Sequence, residues 1–271
     1  MSVSHLEKLL ILTKTYPAPS VKYQELSCVA AIDQNFKMTR LYPIPYRLLE
    51  DKLQFQKWQW IQANVIPARN DNRPESFNID VDSIIQLDIV KPKNNWAERL
   101  SIIKDQIVPD FTSLENRRQK TGQTLGFIRP DHFSLIISPS KSPDWSPEEL
   151  KKLSQKQMNL FQTEETKNRP MLKKVPYDFY YQYTCSTDPS KQYKHKITDW
   201  EAGALYWNCF YRYGQNWEKY FRLKLEDQFV QERDLIFLMG TMHRFPDQWL
   251  IVGLVYPPKV TARQQTFLFH P

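Results

Sequence analysis

The sequence predicts an α+β protein with an N-terminal OB-like, Greek-key β-barrel, a helical middle segment and a C-terminal mixed β-sheet with packed helices. Three observations predict it. Short apolar runs broken by turn residues fill the first 90 residues, as several strands on compact turns require. Capped segments of helical period occupy the middle. Two apolar runs, residues 235–239 and 249–256, follow an aromatic helix near the end. The expected domains are therefore 1–93, a barrel; 94–174, a helical and linker segment with a basic surface; and 175–271, an α+β unit.

In the first block, residues 9–16 (Leu-Leu-Ile-Leu-Thr-Lys-Thr-Tyr) read as a strand, 17–20 as a breaker cluster and 26–32 as a second apolar strand. Residues 37–42 alternate as a half-exposed strand does, and 58–65 repeat the pattern. The polar stretch 70–76 precedes a strand at 84–90. Asp71, Asp80, Asp82 and Asp88 match no EF-hand or nuclease loop spacing, so they are expected to serve the fold.

Residues 96–107 and 111–120 carry apolar side chains at helical spacing, with Asn94 or Asn95 as N-cap of the first and Thr121-Gly122 closing the second. Residues 125–130 and 133–138 read as strands. Ser146-Pro147-Glu148-Glu149 combines an N-cap serine, a proline at the first helical position and an acidic first turn, so a lysine-rich helix starts there and runs to about Leu160. Residues 162–174 are polar and basic, as a surface loop or linker is.

Residues 177–185 and 192–198 are expected to pair as a hairpin across Asp188-Pro189. Thr198-Asp199-Trp200-Glu201 has the form of a capping box with threonine as the cap, opening a helix to Tyr213. That role accounts for Asp199 and Glu201 without catalysis.

Composition narrows the function classes. Nineteen prolines against six glycines favour rigid turns over a glycine-rich nucleotide cradle. GxxxxGK[ST], GxGxxG, GxSxG and HExxH are all missing, and no cofactor or metal is expected. Cys28, Cys185 and Cys209 are isolated, so neither disulfides nor a zinc site is indicated. A nucleophilic Cys185 would need His195 as its base. No apolar run reaches the roughly 20 residues of a membrane span, and a cytoplasmic, non-membrane protein is expected. The net charge of +7 is concentrated in residues 1–70 and 111–175, which points to a polyanion or an acidic protein surface as partner.

Two segments carry the site expectations. Arg40-Leu41-Tyr42-Pro43-Ile44-Pro45-Tyr46-Arg47 places cations and rings where a strand meets a proline-bounded turn, and Lys57-Trp58 repeats the combination. Such pairs grip phosphates and stack bases, so Arg40, Tyr42, Tyr46, Arg47, Lys57 and Trp58 are expected on one exposed nucleic-acid-binding face. The second segment packs Thr241, His243, Arg244 and Asp247 between two buried strands, a rigid ligand-facing edge in which Asp247 would orient His243 if the site were catalytic.

Thr13-Lys14-Thr15-Tyr16-Pro17, Cys28-Val29-Ala30-Ala31-Ile32, the Arg40–Arg47 stretch, Gly240-Thr241 with His243-Arg244, and residues 249–258 together resemble a group of uncharacterised bacterial proteins. That group is similar in layout to dual-OB proteins found near mobile-element and defence genes. The resemblance implies nucleic-acid work and assigns no catalytic residue. The expected function is thus a non-enzymatic nucleic-acid-binding or accessory protein, with single-stranded DNA or RNA as partner. The alternatives are an enzyme on nucleic acid or a nucleotide centred on His243 and Asp247, and a structural subunit docking an acidic partner.

Overall fold

A computed structural model describes residues 3–154 and 169–259. The chain runs through β1 (His5–Lys14), β2 (Ala18–Ser20), β3 (Gln24–Asp33), β4 (Met38–Ile44), two 3-10 turns at Tyr46–Leu48 and Asp51–Leu53, β5 (Gln59–Pro67), β6 (Ser76–Ile79) and β7 (Ile85–Ile89). Next come α1 (Ala97–Ile103), β8 (Ile107–Val108), α2 (Phe111–Thr121), β9 (Leu125–Ile128), β10 (Phe133–Pro139) and α3 (Pro147–Ser154). The last part holds β11 (Tyr177–Cys185), β12 (Asp188–Lys196), α4 (Trp200–Tyr213), α5 (Trp217–Arg222), α6 (Gln228–Glu232), β13 (Ile236–Thr241) and β14 (Trp249–Val255).

The first half closes a five-stranded barrel in the order β1-β3-β4-β6-β5, with β5 returning to β1. All neighbours are antiparallel except β4 and β6. A three-strand meander whose third strand pairs in parallel with the last is the connectivity of an OB barrel. Period-2 alternation divides the strand residues. Leu9, Ile11, Val29, Ala31, Leu41, Ile61, Ala63 and Val65 fill the interior. Leu10, Leu12, Ala30, Ile32 and Met38 point outward and are buried nonetheless.

What buries them is the C-terminal half. Strands β14-β13-β9-β8 form a four-stranded sheet, and β10-β11-β12 a three-stranded one. Along β13, Ile236 and Leu238 join the outward barrel residues, whereas Phe237 and Met239 face a separate aromatic core with Phe179, Tyr181, Tyr206, Trp217 and Phe221. The four-stranded sheet is thus covered on both faces, which is why β13 and β14 read as unbroken apolar runs. Strands β8 and β9 come from the middle of the chain but pair within this sheet.

Several local readings are corrected. The cap of α4 is Asp199, whose carboxylate accepts from the Glu201 N–H at 2.6 Å, while the Thr198 hydroxyl donates to Ile251 O. Neither Asn94 nor Asn95 caps α1; both, with Trp96, adopt positive φ and offer no side-chain cap. The turn of the β11–β12 hairpin lies at Ser186-Thr187, one step before Asp188-Pro189. At α3, Ser146 and Glu149 exchange bonds as a capping box, and Gly122 ends α2 at φ 75°. The continuation expected to Leu160 lies outside the described residues. Among those residues, no helix is long and apolar enough to cross a membrane.

Candidate functional site

The barrel face formed by β3 and β4, through which OB barrels commonly engage ligands, lies beneath the four-stranded sheet. Arg40 sits in that contact at 3% exposure, where its Nη2 donates to the carbonyl and hydroxyl of Thr124 at 3.3 and 3.1 Å and stands 3.8 Å from Glu75 Oε1. The expectation of an exposed, phosphate-contacting Arg40 is therefore corrected. A guanidinium of this kind joins two packed layers and is tolerated there because it is paired.

The other five residues of that expectation separate. Tyr42 stays 48% exposed, within electrostatic reach of Tyr23 and Arg244. Arg47 turns away to pair with Glu25 at 3.0 Å and to donate to the Pro170 carbonyl. Tyr46, Lys57 and Trp58 meet in one groove of about 640 Å³ between the barrel and α4.

Residues that the sequence did not mark as part of this site complete the groove: Lys14 from the end of β1, Trp96 and Arg99 from the start of α1, Trp200 and Glu201 from α4, and Tyr256 after β14. Trp58 and Trp96 are both held in left-handed backbone, at φ 65° and 66°. Bulky residues seldom adopt that region, so the surrounding structure must impose it. For Trp58 the restraint is visible: its N–H donates to Ile11 O and its carbonyl accepts from Val90 N. The two indoles, 6.0 Å apart edge to face, hold the Arg99 guanidinium at 5.1 and 4.5 Å from their centroids. Arg99 Nε donates to Val90 O, and its terminal nitrogens form no hydrogen bond or ion pair among the described residues. Trp58 is 2% exposed and its indole N–H has no partner.

Across the groove, Lys14 Nζ lies 4.0 Å over the Tyr46 ring, 5.6 Å from Phe55 and 5.9 Å from Trp200. Its one hydrogen bond goes to Phe55 O at 3.2 Å. Burial brings the Lys14 ammonium down to about 8, against the attraction of Glu201. Burial likewise pushes the Tyr46 hydroxyl up to about 12. Lys57 differs, because it donates to Glu201 Oε2 at 3.0 Å and Leu254 O at 2.7 Å and lies 3.8 Å from Asp199 Oδ2. Burial disfavours its charge, but those carboxylates outweigh that and raise its pKa. Lys57 is thus committed to the fold, whereas Lys14 and Arg99 line the groove and form no ion pair among the described residues, although Glu201 attracts both. Rings flanking unpaired cations suit an anion with a flat apolar part.

The second expected cluster is only partly assembled. His243 is exposed, and its Nδ1 lies 3.5 Å from Asp71 Oδ1. Asp247 accepts from Arg118 Nη2 at 2.9 Å, so the His243–Asp247 pairing does not form. Burial pushes the Asp71 carboxyl up, but hydrogen bonds from Arg73 overcome this and hold it far below the usual range. Arg73 also donates to Thr241 O at 2.7 Å, tying the loop before β6 to the end of β13. Thr241 is itself buried, and Arg244 is exposed beside Tyr42.

Cys185 and His195 do not make a nucleophile and base. His195 Nδ1 shares a hydrogen bond with the Tyr183 hydroxyl at 3.0 Å, and burial lowers its pKa to about 4, while burial raises that of Cys185. The described residues hold no group of three or more His, Cys, Asp or Glu that could bind a metal ion.

The model of the family described as Domain of unknown function (DUF8757) matches residues 110–271, more than half of the chain. The chain belongs to that family. A second model, Domain of unknown function (DUF8758), matches residues 5–105, the stretch that forms the barrel and α1. The DUF8757 portion supplies the three-stranded sheet, three of the four strands of the other sheet and α4, so the groove draws residues from each matched region. No curated protein matches the sequence.

Proposed function

We propose that this protein binds single-stranded nucleic acid without catalysis, and that the groove between barrel and α4 receives it. The observation that carries the reading is the pair Lys14 and Arg99, two cations set among Tyr46, Trp58, Trp96 and Trp200 that form no ion pair among the described residues, with Arg99 8% exposed. Bases stack on the part-exposed rings of Tyr46, Trp96 and Trp200 whatever their identity, and phosphates neutralise the cations, so binding is tolerant of sequence and sensitive to salt. Tyr42 and Arg244 form a smaller exposed pair for phosphate contact beyond the groove. An accessory role at a defence or mobile-element locus rests on the sequence resemblance alone, and a cytoplasmic location on the apolar-run and cysteine pattern of the sequence.

Fluorescence anisotropy with labelled dT12 and rU12 at low salt tests the reading. Saturable binding that weakens in Arg99→Met supports it. Absence of binding to both oligomers overturns it.

A further inference from the structure

Resting on the reading of the groove, we propose that the bound strand leaves it along α4 and lies over a second platform formed by Trp207, Tyr211 and Lys173. The argument is a chain of rings. Tyr46 meets Trp200 at 5.5 Å, and Trp200 meets Tyr16 at 6.3 Å. The Trp207 indole N–H donates to the Tyr16 hydroxyl at 3.0 Å, and Trp207 stacks with Tyr211 at 5.6 Å and 23°. Aromatic surface therefore continues from the barrel floor along the helix. From Trp200 to Tyr211 it covers eleven residue steps, about 17 Å at the helical rise of about 1.5 Å.

The far end has the same make-up as the groove. Lys173 Nζ lies 5.6 Å over Trp207 and 4.9 Å over Tyr211, as Lys14 lies over Tyr46 and Trp200. Lys173 also donates to the Tyr211 hydroxyl, and its carbonyl accepts from Tyr16 Oη at 2.7 Å, so the platform is fixed before any ligand arrives. Tyr211 is nevertheless 60% exposed, and Phe210 beside it 40%. An exposed, preorganised ring bearing a lysine, continuous with a cationic groove, fits a polyanion with flat bases better than it fits an apolar protein face. The strand then spans several nucleotides, with one end in the groove and the other on Tyr211.

The experiment compares labelled dT4 and dT12 by anisotropy, using wild type, Tyr211→Ala and Lys173→Ala, with thermal melting to confirm that these surface variants stay folded. Wild type is expected to bind dT12 more tightly than dT4. Tyr211→Ala should weaken dT12 binding by at least about five-fold, the loss of one stacked base, and Lys173→Ala should weaken it through the lost cation, each leaving dT4 unchanged. Only the part of the length effect that the variants remove counts, because a longer strand also offers more registers. If dT4 and dT12 lose affinity equally in Tyr211→Ala, or neither loses any, the path along α4 is wrong while the groove reading stands. Binding of neither oligomer by wild type overturns both. A monomer–dimer equilibrium abolished by Tyr211→Ala makes the patch a contact between copies and overturns the path.

Discussion

Replacing Lys14 by methionine should make this protein more stable and a poorer binder. The ammonium titrates near 10.5 in the unfolded chain and at about 8 in the fold, chiefly because it is buried. Below pH 8 both states are charged, and the fold bears the whole cost of holding the charge out of water. Between pH 8 and 10.5 the unfolded chain binds more protons, so stability rises with pH; above 10.5 the cost is gone. The drop from 10.5 to about 8 corresponds to about 3 kcal/mol at neutral pH. Methionine gives up the ammonium's place over the Tyr46 ring and its hydrogen bond to Phe55 O, the latter worth about 1 kcal/mol. The expected gain is therefore about 1–3 kcal/mol at pH 7, shrinking towards zero or below near pH 10.5. Urea denaturation of wild type and variant at both pH values reads it, since titrations elsewhere cancel in the difference. The same variant should bind dT12 less tightly. A variant less stable than wild type at pH 7, or an equal gain at both pH values, would refute the reasoning.

Arg40→Ala should lower stability by roughly 3–5 kcal/mol, because it leaves Glu75 buried between two layers without its cation; thermal melting reads this. Gly203→Ala would place a Cβ 2.3 Å from Tyr16 Cδ2, so the ring must move, with a stability loss of about 1–3 kcal/mol and altered tryptophan fluorescence from Trp207. His195 has a folded pKa of about 4 against an ordinary 6.5, so the unfolded chain binds the extra proton as pH falls through that window, and stability is lost there by up to about 3 kcal/mol. His195→Gln should flatten that part of the acid-denaturation profile. Oligonucleotide affinity should fall linearly on a log–log plot against salt, and Arg99→Met should reduce the slope by about one.

The strand pattern was legible because burial on alternate faces leaves period-2 runs, and the barrel, the β11–β12 hairpin and the last two strands all stand near where those runs predict. Pairing was less legible. Nothing local to residues 38–44 reveals the parallel partner at Ser76-Phe77, which comes from tertiary closure. Arg40 looked like a surface cation because charge at a strand end is usually solvated, and its partners Glu75 and Thr124 lie 35 and 84 positions away. The groove was half legible. Tyr46, Lys57 and Trp58 stood out as rings beside cations, but Lys14 sat in an ordinary apolar strand, and Trp96 and Arg99 looked like one turn of a helix. Left-handed backbone at two tryptophans has no sequence signature, since neither glycine nor asparagine stands at either position.

The outward residues of the barrel and the inner residues of the four-stranded sheet share one core, although they fall in two separately recognisable sequence regions. Each region is therefore the other's solvent shield. Leu10, Leu12, Ala30, Ile32 and Met38 would form a sticky patch on residues 5–105 expressed alone, and Phe127, Ile236, Leu238 and Val252 would do the same on 110–271. Divergence on one side of the contact has to be matched on the other. A protein that carried only one of these regions would have to cover the same face with a different layer or join it to a second chain.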